Sequence, residues 1–261
     1  MTAHAKSPLK IERDGPVLII GLDRSEKRNA LNDGVIAALD ETFSTLPADA
    51  AAVLIHATGA NFSAGLDLSE LADRDAHEGV LHSRSWHRCF ERIEFGSLPV
   101  VAALRGAVVG GGLELAATAH VRVAERSAFY ALPEGQRGIF VGGGGSVRLP
   151  RLIGVSRMAD MMLTGRVYSA EEGASLGFAQ YLVDDGAAYA KGLELAHKMA
   201  GNAPLTNFAV IQALPRIAEA DPRTGYVMES LMASLAQSAP EAKARVRAFL
   251  DKRAPKVARP D

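Results

Sequence analysis

The sequence predicts an α/β fold with largely parallel strand pairing, followed by a helical C-terminal region. Three observations predict it. Short apolar runs of strand length recur at 17–22, 52–57, 99–104 and 121–124, with helical stretches among them. Glycine clusters at 110–112 and 142–145 each open a stretch that reads as helix. After residue 186 the pattern is helical to the end. The expected division is a core domain over 1–186 and a helical subdomain over 187–261.

The elements follow in order. Leu9 to Glu12 alternates, Asp14-Gly15 signals a turn, and Val17 to Leu22 is a buried strand, so the chain opens with a hairpin. Asn32 is placed to cap a helix carrying Val35, Ile36, Leu39, Phe43 and Leu46 at helical spacing. Ala52 to Ala57 is the second buried strand. Residues 68–96 read as helical and surface-exposed, with a mobile charged section around Asp73 to Glu78. Pro99 to Leu104 is the third strand, running almost directly into Gly110 and a helix through Ala117. Val121 to Ala124 and Tyr181 to Val183 are further strands. Ser169-Ala170-Glu171-Glu172 forms a capping box, with Gly177 as the matching C-cap.

Composition excludes several classes. The chain has 261 residues, 48% hydrophobic, which suffices for a substantial core. With 29 Lys+Arg against 30 Asp+Glu the net charge is −1, which argues against a polyanion-binding role. The single cysteine, Cys89, allows no intrachain disulfide and reads as buried filler. No apolar run reaches the roughly 20 residues that span a bilayer, and the start lacks a secretory apolar segment. A cytoplasmic protein without membrane or nucleic-acid partners is expected.

Glycines between a strand and a helix let a ligand approach the backbone and aim free N–H groups at negative charge. Phosphate motifs fail here. Leu115 and Val147 fall where G-x-G-x-x-G needs its last glycine, and no Gly-Lys pair makes a P-loop. Tight helix–strand packing is the plain alternative. Two acids add to the pattern. Glu114 lies early in an otherwise apolar helix, and Glu134 follows the apolar run Phe129 to Pro133. A carboxylate is costly to bury unless used or paired. Two such acids beside backbone donors suit acid–base chemistry on a carbonyl substrate. For Glu114 the plain alternative is an acid stabilised by the helix macrodipole.

The run Asp23-Arg24-Ser25-Glu26-Lys27-Arg28-Asn29-Ala30-Leu31-Asn32 resembles the N-terminal signature of the crotonase (enoyl-CoA hydratase/isomerase) superfamily. Phe62-Ser63-Ala64-Gly65-Leu66-Asp67-Leu68, Gly106 to Glu114, and Leu132-Pro133-Glu134 with Gly142-Gly143-Gly144 and Arg148-Leu149 resemble its later segments, in order and at family spacing. The likeness covers nearly the whole chain.

The resemblance implies a crotonase-like spiral of β-β-α turns with a helical C-terminal oligomerisation region, and a homotrimer or dimer of trimers. It implies an acyl-CoA thioester substrate and no metal or redox cofactor. It places the backbone N–H groups of Leu66 and Gly111 in an oxyanion hole, Glu114 and Glu134 as the acid–base pair around one water, and Gly142 as a backbone donor beside the second glutamate and that water. It places Lys27, Arg28, Ala64, Asp67 and Leu68 toward CoA, and Phe249 and Lys252 toward a neighbouring subunit's nucleotide. Hydration of a 2-enoyl-CoA to the 3-hydroxyacyl-CoA is the leading expectation. The alternatives are hydration coupled to thioester hydrolysis of a substituted enoyl-CoA, such as 3-(methylthio)acryloyl-CoA, and double-bond isomerisation, which the second acid disfavours. RNA binding, known among some relatives, is disfavoured by the lysine-poor helix after Asn32 and the net charge of −1.

The chain departs from the pattern after Glu134, where Gly135-Gln136-Arg137 replaces an aliphatic residue, and at Val141, where proline is common. These changes bear on the acyl group. Arg137 lowers a nearby glutamate's pKa if it points inward; a surface arginine is the plain alternative. His77, His82 and His87 step about 140° around a helix, which argues against their sharing a metal. His56 is expected to be a satisfied structural histidine. Asn61 breaks a serine-hydrolase elbow at Ser63. Trp86, Phe90, Met161 and Met162 fit an acyl pocket or plain core equally.

Overall fold

The computed structural model of the chain describes residues 7–70 and 74–253. These form two compact units, divided between Ala200 and Gly201. In the first unit the order is β1 (Leu9–Asp14), β2 (Val17–Leu22), α1 (Asp33–Ser44), β3 (Ala52–Ala57), α2 (Ala76–Glu94), β4 (Val100–Leu104), β5 (Ala107–Val109), α3 (Gly111–Ala116), β6 (Val121–Glu125) and β7 (Phe129–Ala131). It continues with α4 (Gly145–Ile153), α5 (Val155–Thr164), β8 (Val167–Ser169), α6 (Ala170–Leu176), β9 (Tyr181–Val183) and α7 (Ala188–Ala200). The second unit holds α8 (Pro204–Phe208), α9 (Leu214–Glu219), α10 (Pro222–Ser238) and α11 (Pro240–Leu250), with a π-helical turn, Ala209–Ala213, between α8 and α9.

The main sheet runs β1-β2-β3-β4-β6-β9. The β1–β2 hairpin is antiparallel and every other pairing is parallel. Parallel strands covered on both faces read as continuous apolar runs, which is why β2 is buried at all six positions. Alternate side chains serve separate cores. Leu18, Ile20, Val53, Ile55 and Leu104 join the larger one. Val17, Ile19, Leu54, Val101 and Ala103 pack against Leu195 and Ala196 of α7. The expected boundary at 186 and the division at 200 therefore differ by one helix, α7, whose apolar stripe is buried on the sheet.

The Asn32 side chain accepts from the Val35 N–H and caps α1. The Ser169–Glu172 capping box and left-handed Gly177 bound α6. Two readings are corrected. The 68–96 segment is not a single exposed helix: a 3-10 turn at Leu68–Glu70 precedes α2, which buries Trp86, Cys89, Phe90 and Ile93 on one face. Asp73, within the section expected to be mobile, lies outside the described residues. His56 is not fully satisfied either, since its buried Nε2 has no partner among the described residues, although its ring meets Tyr189 edge-on at 5.0 Å.

A second sheet, β5-β7-β8, positions the site. The three-residue strand β5 sits between β4 and the first glycine cluster, where the sequence reads as one continuous passage. It pairs with β7 in parallel, Val109 opposite Ala131. That register brings the segment before Glu114 beside the segment before Glu134. The Gly110 N–H donates to the Ala131 carbonyl at 2.9 Å and closes the junction.

Candidate active site

One cavity of about 180 Å3 is lined by residues from 64–68, α2, the β5–α3 junction and 134–143. Glu114 and Glu134 both line it. Glu114 is 3% exposed, and its Oε1 accepts from the Gly143 N–H at 2.8 Å and the Gly145 N–H at 2.7 Å. Burial pushes this carboxyl above the usual range, against the opposing pull of those amides and of Arg148. Both bonds fall on Oε1, which leaves the other oxygen for a further donor.

Glu134 is held differently. Its Oε2 is buried with no partner among the described residues, and burial, then the charge of Glu114, push its pKa up to about 7. A backbone amide and Arg137 pull the other way. Glu134 also presses on the first glycine cluster: a Cβ on Gly110 would collide with its Oε1, and Gly110 holds φ 51°. This close approach requires glycine.

The Leu66 and Gly111 N–H groups find no acceptor among the described residues. A Cβ on Gly111 would lie 3.4 Å from the Leu66 nitrogen and 2.9 Å from Cζ3 of Trp86. The two donors are thus close together at the cavity wall. Bridges Leu31–Leu66 and Ser63–Val108 fix the 63–66 segment against the two flanking parts of the chain. Gly142 lines the cavity, with its carbonyl accepting from the Ser83 hydroxyl at 2.6 Å. Its N–H lowers the pKa of Glu114, the first glutamate, whereas the resemblance placed it by the second.

The remaining expected contacts divide. Ala64 and Leu68 line the cavity. The Ala64 N–H donates to the Arg28 carbonyl, which ties that wall to the turn carrying exposed Lys27 and Arg28. Asp67 pairs with Arg24 at 3.2 Å and accepts from Ser69, and these bonds hold its carboxyl below the usual range. Phe249 and Lys252 are exposed at the end of α11 in the second unit, outside the residues that line the cavity. Trp86 lines the cavity and meets Phe90 edge-on at 5.5 Å, whereas Met161 is fully buried core.

The contacts of two residues escaped the sequence. Arg148 Nε pairs with Glu94 Oε2 at 2.5 Å, and Arg148 Nη1 donates to the Gly143 carbonyl at 2.9 Å. It thereby braces the loop whose amides hold Glu114. His82 joins Asp33 and Glu70 in a group of ligand-type atoms within 4.8 Å of one another. The Arg74 guanidinium already sits between the two carboxylates, at 2.6 Å from Asp33 and 3.9 Å from Glu70, and supplies the positive charge there.

Two buried acids and two backbone N–H groups without an acceptor among the described residues thus lie at one cavity, beside the two glycine clusters. The profile of the family Enoyl-CoA hydratase/isomerase matches residues 12–259, and the chain belongs to that family. A short-chain-enoyl-CoA hydratase of Clostridium acetobutylicum is 30% identical over 246 residues, covering 93% of this chain and 94% of the relative. A 2,3-dehydroadipyl-CoA hydratase of Escherichia coli is 32% identical over 251 residues, covering 95% and 98%. The solved structure of an enoyl-CoA hydratase candidate from Rhodopseudomonas palustris shares 67% identity over 94% of this chain and 95% of its own, with a TM-score of 0.92. The fold is the crotonase fold, and the family acts on acyl-CoA thioesters.

Proposed function

We propose that this chain adds water across the double bond of a 2-enoyl-CoA, giving the 3-hydroxyacyl-CoA. The observation that carries the reading is the pair of buried carboxylates on one cavity wall system with the unpaired Leu66 and Gly111 N–H groups. In this reading the thioester oxygen lies between those two donors. They stabilise negative charge as the substrate becomes an enolate.

The hydrogen bonding of the two carboxyls supports one division of roles. Glu114, held by two amide donors on one oxygen, is read as the group that takes a proton from the water whose oxygen bonds to the β-carbon. Glu134, with a pKa of about 7 and an orphaned oxygen, carries the proton given to the α-carbon. One proton has then moved from Glu134 to Glu114, and exchange with solvent resets the pair. Water and protein groups suffice, so the proposal includes no resident cofactor.

Lys27, Arg28, Ala64, Asp67 and Leu68 are read as the CoA side of the cleft. Phe249 and Lys252 are assigned to a neighbouring copy's nucleotide in a trimer or dimer of trimers. Exposed Tyr226, Val227, Leu231 and Leu235 on α10 give the second unit an apolar surface suited to assembly.

The test follows loss of the enoyl-thioester absorbance with crotonyl-CoA and then measures free CoA. Cys89 is buried, with its thiol pushed up to about 12, so native protein contributes little to a thiol assay. Absorbance loss without free CoA supports hydration alone. Release of CoA moves the activity to coupled hydrolysis. Wild-type rates in both Glu114→Gln and Glu134→Gln would overturn the assignment.

A further inference from the structure

Glu134 and Arg137 begin and end one turn of 3-10 helix. The Arg137 N–H donates to the Glu134 carbonyl at 3.0 Å, and left-handed Gly138 terminates the turn at φ 71°. A 3-10 helix has three residues per turn, so side chains three apart eclipse. Glu134 and Arg137 therefore share a face, and both line the cavity. The charge of Arg137 is felt at Glu134.

The Arg137 guanidinium makes no hydrogen bond or ion pair with any described residue. The other arginines near the site are engaged: Arg24 with Asp67 and the Ala30 carbonyl, Arg148 with Glu94 and the Gly143 carbonyl. Beyond Arg137 the wall is apolar, formed by Ile139, Phe140 and Val141. Facing it from α2 are His82 and Ser83. Both are already occupied, the His82 ring with Trp86 Nε1 and Asp33, the Ser83 hydroxyl with the Gly142 carbonyl. Arg137 is thus an exposed cation on the cavity wall beside Glu134 and an apolar stretch, with no ion pair among the described residues.

We infer that Arg137 selects an acyl group that ends in a carboxylate, so that the preferred substrates are 2-enoyl-CoAs with an ω-carboxylate; this rests on the hydration reading above. A carboxylate at the chain end meets the planar guanidinium in two parallel hydrogen bonds. It also needs such a partner here, because the Glu114 carboxylate otherwise repels an anionic acyl group. A chain ending in methyl gains neither contact.

The test compares matched pairs on wild type, Arg137→Gln and Arg137→Lys. The pairs are 2-hexenoyl-CoA with 2,3-dehydroadipyl-CoA, and 2-octenoyl-CoA with its ω-carboxylate counterpart. The readout is the ratio of kcat/KM within each pair, so a general change in rate cancels. Wild type should favour the carboxylate at one length or both by about tenfold or more, the scale of a hydrogen bond to a charged group. Arg137→Gln should bring the ratio toward one, and Arg137→Lys should restore part of it. A wild-type ratio of one or less at both lengths overturns the inference. So does a ratio that Arg137→Gln leaves unchanged, including equal losses on both members, which would place Arg137 on CoA instead. Failure to hydrate any of the four would overturn the hydration reading itself.

Discussion

Glu94 and Arg148 are 54 residues apart in sequence, and their side chains meet at 2.5 Å beneath the loop that holds Glu114. Arg148 is 7% exposed and reaches on to the Gly143 carbonyl. The pair links the end of α2 to the start of α4. The Gly143 and Gly145 amides thus point at Glu114 because Arg148 holds the loop from its other side.

Arg148→Met should therefore damage stability and rate together. Removing one member of a buried pair costs about 3–5 kcal/mol, an upper bound here because Glu94 is partly exposed. Denaturant unfolding checks the first effect. Glu94→Gln keeps a hydrogen-bond acceptor and should lower kcat less than Arg148→Met does.

Gly110→Ala should fold and lose most activity. The new Cβ meets Glu134 Oε1, and φ 51° with ψ −123° is unfavourable for alanine. A crystal structure of the variant should show Glu134 displaced, with kcat/KM down by about the 10²–10⁴ that a general acid contributes. Unchanged kinetics would argue against a role for this carboxylate.

The pH dependence follows from Glu134. As the proton donor it must be protonated, so kcat/KM should fall tenfold per pH unit above about 7. The stability effect carries the same sign. The folded pKa of about 7 exceeds the ordinary 4.5, so the folded state binds more protons between those values. Stability from this group is therefore present at low pH and lost as pH rises from 4.5 to about 7, by about 3 kcal/mol at most. Glu134→Gln removes the charge, so at pH 8 it should be more stable than wild type and inactive. Thermal melts across pH 5–8 would show the two curves converging at acid pH.

Gly145→Ala tests the other acid. Its Cβ would lie 2.8 Å from Glu114 Cγ and 2.9 Å from Oε1. Glu114 should lose its amide bonds, and the acid limb of the pH–rate profile should move upward with its pKa.

Much of this arrangement was legible because local chemistry carries it. The buried strands Val17–Leu22 and Ala52–Ala57, the Asn32 cap and the Ser169 box each rest on a few neighbouring residues. Glu114 and Glu134 stood out as acids in apolar surroundings, and the structure brings both to one cavity. The Glu94–Arg148 pair left no local trace, since neither residue breaks the pattern of its own helix. Strand β5 was hidden because three apolar residues beside a glycine cluster have no period to detect. Arg137 is both things weighed for it, exposed and yet on the cavity wall, and only its 3-10 turn shows why.

The thioester donors assigned to Leu66 and Gly111 belong to the main chain, with consequences for how this protein tolerates change. Side-chain identity at position 66 is nearly free, whereas the path of the chain there is not. Gly65 has φ 95° with the Val109 carbonyl 2.8 Å from where a Cβ would be, and a Cβ on Gly112 would strike Ser63. A saturation library selected for activity should accept many residues at 66 and almost none but glycine at 65, 110 and 112. The reactive part of this fold is inherited as a trajectory, and substitutions that spare every polar side chain can still erase it.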